Sequence, residues 1–284
     1  LVTEEISPGA RAALGELYDH VVEVERIYTP HTRRQERQDR PYYFTRLQVL
    51  RLGPDGDLGF DLERVVVIDA DVLPLSNYDN LLELEAPAGV LNERRSHFAE
   101  TDANGRYVIP QDVSQGRWIW HKIYAECLHG EPVPRHISDR PAEDPTNMGF
   151  NGSLFVMKPS ISEYHDILQD LQRPEIQRLV GDLFDWPDMQ YLTIRWSGSW
   201  RNIDVRYSAL NGYPDLSVLY GTHFAGFKPW YFQRQRAMER YARYADFQLW
   251  FERYAELLAA YPALQRNGKL KRLLTDVQAA RNTD

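Results

Sequence analysis

Arg64-Val65-Val66-Val67-Ile68-Asp69-Ala70-Asp71 is the stretch on which the reading of this chain turns. Its four β-branched residues run on without a polar interruption, whereas a half-buried strand would alternate. Such a run is a strand covered on both faces, and it points to the parallel sheet of an α/β protein. Two carboxylates follow at once. Ligands in open α/β sheets gather beyond the carboxyl ends of the strands. Tandem carboxylates are costly there unless a cation or hydrogen-bond donors compensate them. A hard divalent ion, Mn²⁺ or Mg²⁺, does so and also grips phosphate oxygens. The plainer reading is a pair of strand-end acids capping nearby N–H groups, and Asp-x-Asp alone does not separate the two.

Outward from this strand, helical and strand patterns alternate. Leu1–Val2 reads as a strand end, and Ser7-Pro8 as a helix N-cap with proline at the first helical position, opening a helix over 8–17. A strand is expected over 20–27, a helix over 43–52 with Phe44, Leu47, Leu50 and Leu52 on one side, and a strand over 86–91. Further strands are expected at 153–157, 203–206 and 218–224, with helices at 160–172 and 188–196. The stretch 93–147 is rich in Pro, Asp, Arg and His and has little periodicity apart from an aromatic segment at 117–128. It reads as a long insertion over one end of the sheet, where functional loops gather. It would either cover the acceptor side of a cleft or form a packing or dimerisation flap, a homodimer following only if it is a dimerisation flap. Beyond 232 the pattern is helical, with Tyr241, Tyr244, Phe247, Phe251, Tyr254 and Leu258 at helical spacing and Pro262 as an interruption. Such a stripe is core or interface packing.

At 284 residues, 43% hydrophobic and 12% aromatic, the chain can bury a substantial core, which excludes disordered, collagen-like and low-complexity classes. No apolar run approaches the length of a membrane span. A single cysteine, Cys127, excludes an intrachain disulfide framework and a multi-cysteine zinc cluster, and fits a reducing, cytoplasmic compartment. The net charge of −8 argues against a general nucleic-acid binder. That charge is uneven: residues 233–284 hold ten Lys/Arg and six Asp/Glu, a net +4, so residues 1–232 carry −12.

A second group closes the last expected strand: His223-Phe224-Ala225-Gly226-Phe227-Lys228-Pro229-Trp230. A neutral imidazole can complete a metal shell, a glycine lets backbone approach a diphosphate, and a lysine neutralises charge on a departing nucleotide. Each residue alone has a structural explanation; their grouping with a distant Asp-x-Asp is what stands out. Two enzyme classes place Asp-x-Asp after a strand. Haloacid-dehalogenase-type phosphatases use the first Asp as nucleophile, but there the motif normally follows the first strand and a late acidic pair comes downstream. Here Asp69 lies well inside the chain, and no such pair follows an apolar strand.

Asp69-Ala70-Asp71, Phe150-Asn151-Gly152-Ser153, Asp185 and Asp188, and His223 with Gly226, Lys228, Pro229 and Trp230 together resemble family 8 glycosyltransferases, the glycogenin-like group. The resemblance covers 1–230 apart from the insertion. It implies a GT-A-like mixed sheet flanked by helices over 1–231, lacking its first strand–helix unit and with it the uracil pocket, and a C-terminal helical extension over 232–284. It also implies Asp69, Asp71 and His223 as ligands of Mn²⁺ (or Mg²⁺), with the backbone at Ala70 near the ribose of a UDP-sugar. Arg46 and Arg37 would meet donor phosphate or sugar, Asn151 and Gly152 the donor sugar, and Gly226 and Lys228 the diphosphate. Asp185 and Asp188 match the paired catalytic acids beside the sugar.

The sequence departs from the family at several points. Asn151-Gly152-Ser153 stands for Asn-Ser-Gly, Met189 stands where a glutamine is usual with Gln190 one step later, and the segment from Tyr207 to His223 is shorter than in glycogenin. The implied activity is retaining transfer of a hexose from a UDP-sugar to a hydroxyl of a glycan, lipid-linked or protein acceptor. The alternatives are a catalytically weak sugar-nucleotide-binding or scaffolding protein of the same fold, and a phosphatase.

Overall fold

The computed structural model describes residues 1–32, 40–91, 127–210, 216–225, 228–231 and 244–281. Arg37, Gly226, Tyr241 and residues 93–126 of the expected insertion, with all but the last two residues of the aromatic segment at 117–128, lie outside them. Among the described residues, seven strands form two sheets. The four-stranded sheet runs β1 (Val65–Ile68), β4 (Phe150–Met157), β3 (Ala88–Leu91), β5 (Arg201–Ile203), and the three-stranded sheet runs β2 (Val72–Pro74), β7 (Gly221–His223), β6 (Ala209–Leu210). Both are mixed: β4 is antiparallel to β1 and β3, β5 is parallel to β3, and β7 is antiparallel to β2 and parallel to β6.

The apolar run at 65–68 therefore pairs antiparallel, not parallel as its composition suggests. Burial on two faces carries no information about strand direction. Val67 packs against the helix-side cluster and Val66 against the cluster on the other face, which is what the uninterrupted run encodes. β4 shows the same logic at the sheet centre. Phe155 and Met157 face one cluster and Leu154 and Val156 the other, all of them buried.

The helical layer on one face comes from segments far apart in sequence. Residues Arg40–Leu52 form a 3₁₀ helix, and Phe44, Leu47 and Leu50 are buried at its three-residue period. Helices Ile161–Asp170 and Pro187–Arg195 pack beside it, the first capped by the Ser160 hydroxyl accepting from Glu163 N. The two are clamped by Arg195, which donates from Nε and Nη2 to Glu163 at 2.8 and 3.1 Å, while Trp196 Nε1 donates to the same carboxylate at 2.7 Å. Burial works to raise the Glu163 carboxyl, but these donors outweigh it and hold it below its ordinary value. Its stabilisation is thus present above about pH 4.5 and lost as pH falls through the lowered folded value. Glu163→Gln is expected to cost on the order of 1 kcal/mol at neutral pH and progressively less below pH 4, measured as urea midpoints across pH.

The strand expected over 20–27 is an extended segment instead. Only Glu23 bridges, to Val2 and in parallel, and among Val21–Val24 only Val24 is buried. At the other end, helices Ala245–Ala260 and Gly268–Arg281, broken by a 3₁₀ turn at Pro262–Arg266, bury Phe247, Phe251, Tyr254 and Leu258 of the aromatic stripe. Their partners are Phe224, just past β7, and Leu73 of β2, with Ala13 and Leu17 from the N-terminal helix region at Pro8–Gly15. The C-terminal helices thus buttress the small sheet. Among the described residues no helix is long and apolar enough to cross a membrane.

Candidate functional site

Asp69-Ala70-Asp71 is the turn by which the chain leaves the larger sheet at Ile68 and enters the smaller one at Val72. Val72 N donates to Asp69 O at 3.0 Å, closing the turn, and Asp69 N donates to Ser153 O at 2.9 Å, tying it to β4. Strand register then brings in the histidine. Val72 pairs with His223, and Phe224 N donates to Asp71 O at 2.9 Å. Backbone pairing thus sets the two distant segments side by side.

The side chains converge accordingly. Asp69, Asp71 and His223 each offer one ligand atom, and these atoms lie within 4.8 Å of one another. Ligands that share one ion at bonds of about 2–2.6 Å can be up to ~5 Å apart, so the span fits a single cation. His223 Nε2 lies 3.4 Å from Asp71 Oδ1, while its Nδ1 is buried without a hydrogen-bond partner. Lys228 Nζ donates to Asp71 Oδ2 and, at 2.5 Å, to Phe224 O. Burial works to raise the Asp71 carboxyl, but His223 and Lys228 together outweigh it and hold it well below the usual carboxylate range. For Asp69 burial prevails over the opposing Arg46 charge, and its carboxyl is pushed up.

Arg46 and Asp188 continue the site. The guanidinium leaves the 3₁₀ helix with Nη2 3.6 Å from Asp69 Oδ1 and Nε 2.8 Å from Asp188 Oδ2, and it also donates to Gly152 O. Asp188 is 1% exposed in the first turn of helix Pro187–Arg195, where the helix dipole favours a negative charge. Neither of its oxygens makes an aligned hydrogen bond; the contact with Arg46 is an ion pair without one. Burial pushes the Asp188 carboxyl up, with Arg46 opposing. Among the described residues around the turn, the carboxyls of Asp69, Asp71 and Asp188 face the cations Arg46 and Lys228. Two carboxyls and an imidazole whose ligand atoms converge suit a divalent cation.

Gly152 is pinned between these groups. Its carbonyl accepts from Arg46, its N–H points at Met189 Sδ 2.9 Å away, and a Cβ there would lie 2.3 Å from Arg46 Nη1 and 3.1 Å from Met189 Cγ. Gly152→Ala must therefore displace the guanidinium. The expected result is a loss of about 1–3 kcal/mol in stability, read by thermal melting, together with loosening of the Arg46–Asp188 pair. The start of β4 is fixed just as closely. Gly149 adopts φ +69°, and Thr193 Oγ1 accepts from Phe150 N at 2.9 Å while donating to Met189 O at 2.7 Å.

Of the residues singled out from sequence, the structure brings together Asp69, Asp71, His223, Lys228, Arg46, Gly152 and Asp188. Ala70 is exposed at the tip of the turn. Asn151 is half-buried on β4 with Oδ1 accepting from Ser153 N at 3.0 Å, and Asp185 is half-buried in the connection before helix Pro187–Arg195. Ser153 is turned into the core, its hydroxyl 2.6 Å from that of Ser208. Gln190 is a structural strut: Oε1 accepts from Trp186 N, and Nε2 donates to the carbonyls of Pro145 and Asn147 at 2.6 and 2.7 Å. Sequence reasoning missed the direct Arg46–Asp188 pair and the sulfur contact of Met189. Nothing in a one-dimensional pattern marks either.

These features define a mixed α/β protein with a two-carboxylate, one-imidazole cluster at the seam of two sheets. No family model matches the chain. It is 22% identical over 240 residues to the uncharacterized protein R707 of Acanthamoeba polyphaga mimivirus, a match covering 81% of this chain and 70% of the viral one.

Proposed function

We propose that the protein is a metal-dependent retaining glycosyltransferase of GT-A-like fold that moves a hexose from a UDP-sugar to an acceptor hydroxyl. The observation that carries this reading is the convergence of Asp69, Asp71 and His223 from segments about 150 residues apart, with the ion pair of half-buried Arg46 and buried Asp188 beside them. A bound Mn²⁺ or Mg²⁺ supplies positive charge against the diphosphate that leaves the sugar. Asp69, Asp71 and His223 hold that ion, and Lys228 adds a second cation on the diphosphate side. Arg46 orients the donor between phosphate and sugar, and its fork is kept in place by Asp188 and the Gly152 carbonyl. Asp188 presents a desolvated carboxylate toward the sugar, where it stabilises positive charge developing at the anomeric carbon. Asn151 lies on the same strand as Gly152 and hydrogen-bonds the sugar hydroxyls.

The test is to incubate the intact protein with a panel of UDP-sugars with and without Mn²⁺ and to follow UDP release. Release that depends on Mn²⁺ and on one donor is the expected result. Phosphate release from simple phosphoesters would instead indicate a phosphatase, and donor binding without turnover a sugar-nucleotide-binding scaffold.

A further inference from the structure

Lys228 is more fully engaged than a waiting phosphate ligand would be. Its ammonium has three protons to donate, and three oxygens surround it: Asp71 Oδ2, Phe224 O at 2.5 Å and Ala225 O at 3.5 Å. One of the three belongs to the carboxylate whose other oxygen lies 3.4 Å from His223 Nε2. The side chain is only 24% exposed, and its position is set by the exit of β7, since both carbonyls follow His223 directly. Lys228 therefore stands as a monovalent cation against one member of the metal triad.

We propose that Lys228 is an internal counter-ion of the metal-free site, exchanged for the divalent cation and thereby released to bind the diphosphate. The inference rests on the metal-site reading above and adds an order of events to it. While Lys228 neutralises Asp71, two short hydrogen bonds turn the ammonium inward to Asp71 and Phe224 O, and Asp71 shares its charge with a competitor of the metal. A divalent ion that takes Asp71 pulls the carboxylate away from Nζ, and the lysine turns outward as the one mobile cation of the pair. Arg46 does not move in this exchange, because Asp188 and Gly152 hold it independently of Asp71. The site thus admits metal first and nucleotide second. Metal and Lys228 oppose each other, whereas metal and diphosphate reinforce each other through Lys228.

The experiment uses the full chain and reads the lysine itself. Limiting acetylation of Lys228, quantified by mass spectrometry at constant pH, is expected to rise on addition of Mn²⁺ alone and to fall again when UDP is added. UDP without Mn²⁺ should leave it unchanged. In parallel, Lys228→Met should bind Mn²⁺ at least about fivefold more tightly than wild type when nucleotide is absent, by titration of free Mn²⁺ in electron paramagnetic resonance. The same variant should bind UDP more weakly in saturating Mn²⁺. Mn²⁺ binding that leaves the acetylation of Lys228 unchanged would overturn the exchange while sparing the metal site. Failure of the wild-type protein to bind Mn²⁺ at all would overturn both.

Discussion

Asp71→Asn is expected to weaken Mn²⁺ binding by at least about 100-fold and to abolish metal-dependent UDP release, with the fold intact. The magnitude follows from its place in the site. Asp71 is the carboxylate whose charge is best preserved, held well below the usual range by His223 and Lys228, whereas burial pushes Asp69 the other way. Losing it removes a hard, fully ionised ligand and leaves one carboxylate and an imidazole, too little negative charge to hold a hard cation. The architecture survives because the backbone contacts at this residue do not use the side chain: Asp71 O still accepts from Phe224 N. Calorimetric titration with Mn²⁺, beside a circular-dichroism melt as control, reads both halves. Retention of near-wild-type metal affinity in a folded variant would remove Asp71 from the site.

The second large effect is expected at Asp188. Replacement by asparagine keeps the volume but removes the charge that faces Arg46 2.8 Å away in a buried position. Among the described residues, Arg46 is then left with Asp69 as its ion-pair partner, at 3.6 Å. Breaking a fully buried pair by removing one member costs about 3–5 kcal/mol; Arg46 is half-buried and keeps other partners, so the cost is smaller, and the variant should still melt measurably lower. If Asp188 also stabilises charge developing on the sugar, kcat should fall by roughly 10²–10³-fold, while affinity for Mn²⁺ changes far less because Asp188 is not a member of the triad. The two readouts separate the roles. A lowered melting temperature with unchanged kcat would make Asp188 no more than the counter-ion of Arg46.

Much of this site was legible in the chain because its members sit at element ends, where sequence speaks most plainly. An apolar run that stops at two acids, and a His-x-x-Gly-x-Lys group closing a strand, need no structure to be noticed. The three-residue spacing of Phe44, Leu47 and Leu50 likewise marks a helix, although the element is 3₁₀ and not α. Other features were hidden for physical reasons. The direction of β1 depends on its neighbour, not on its own residues, so a parallel sheet was a fair expectation and an antiparallel pair the outcome. Residues 20–27 have strand composition, but among the described residues their strand pairing is the single bridge of Glu23 to Val2. The contacts of Met189 with Gly152 and of Arg46 with Asp188 join positions far apart in sequence, and the residue types alone do not foretell them.

The passage of the chain from one sheet to the other at Asp69-Ala70-Asp71 has a thermodynamic consequence. A cation held there is bonded to the last residue of one sheet's exit and to a strand of the other, so it acts as a rivet through a seam that unfolding must open. Ligation and folding then become linked equilibria: free ion at 100 times its dissociation constant adds about 2.7 kcal/mol to the stability of the whole chain. The melting temperature becomes a function of ion concentration, and the ranking of ions by the shift each produces reports the site's preference with neither donor nor acceptor in hand.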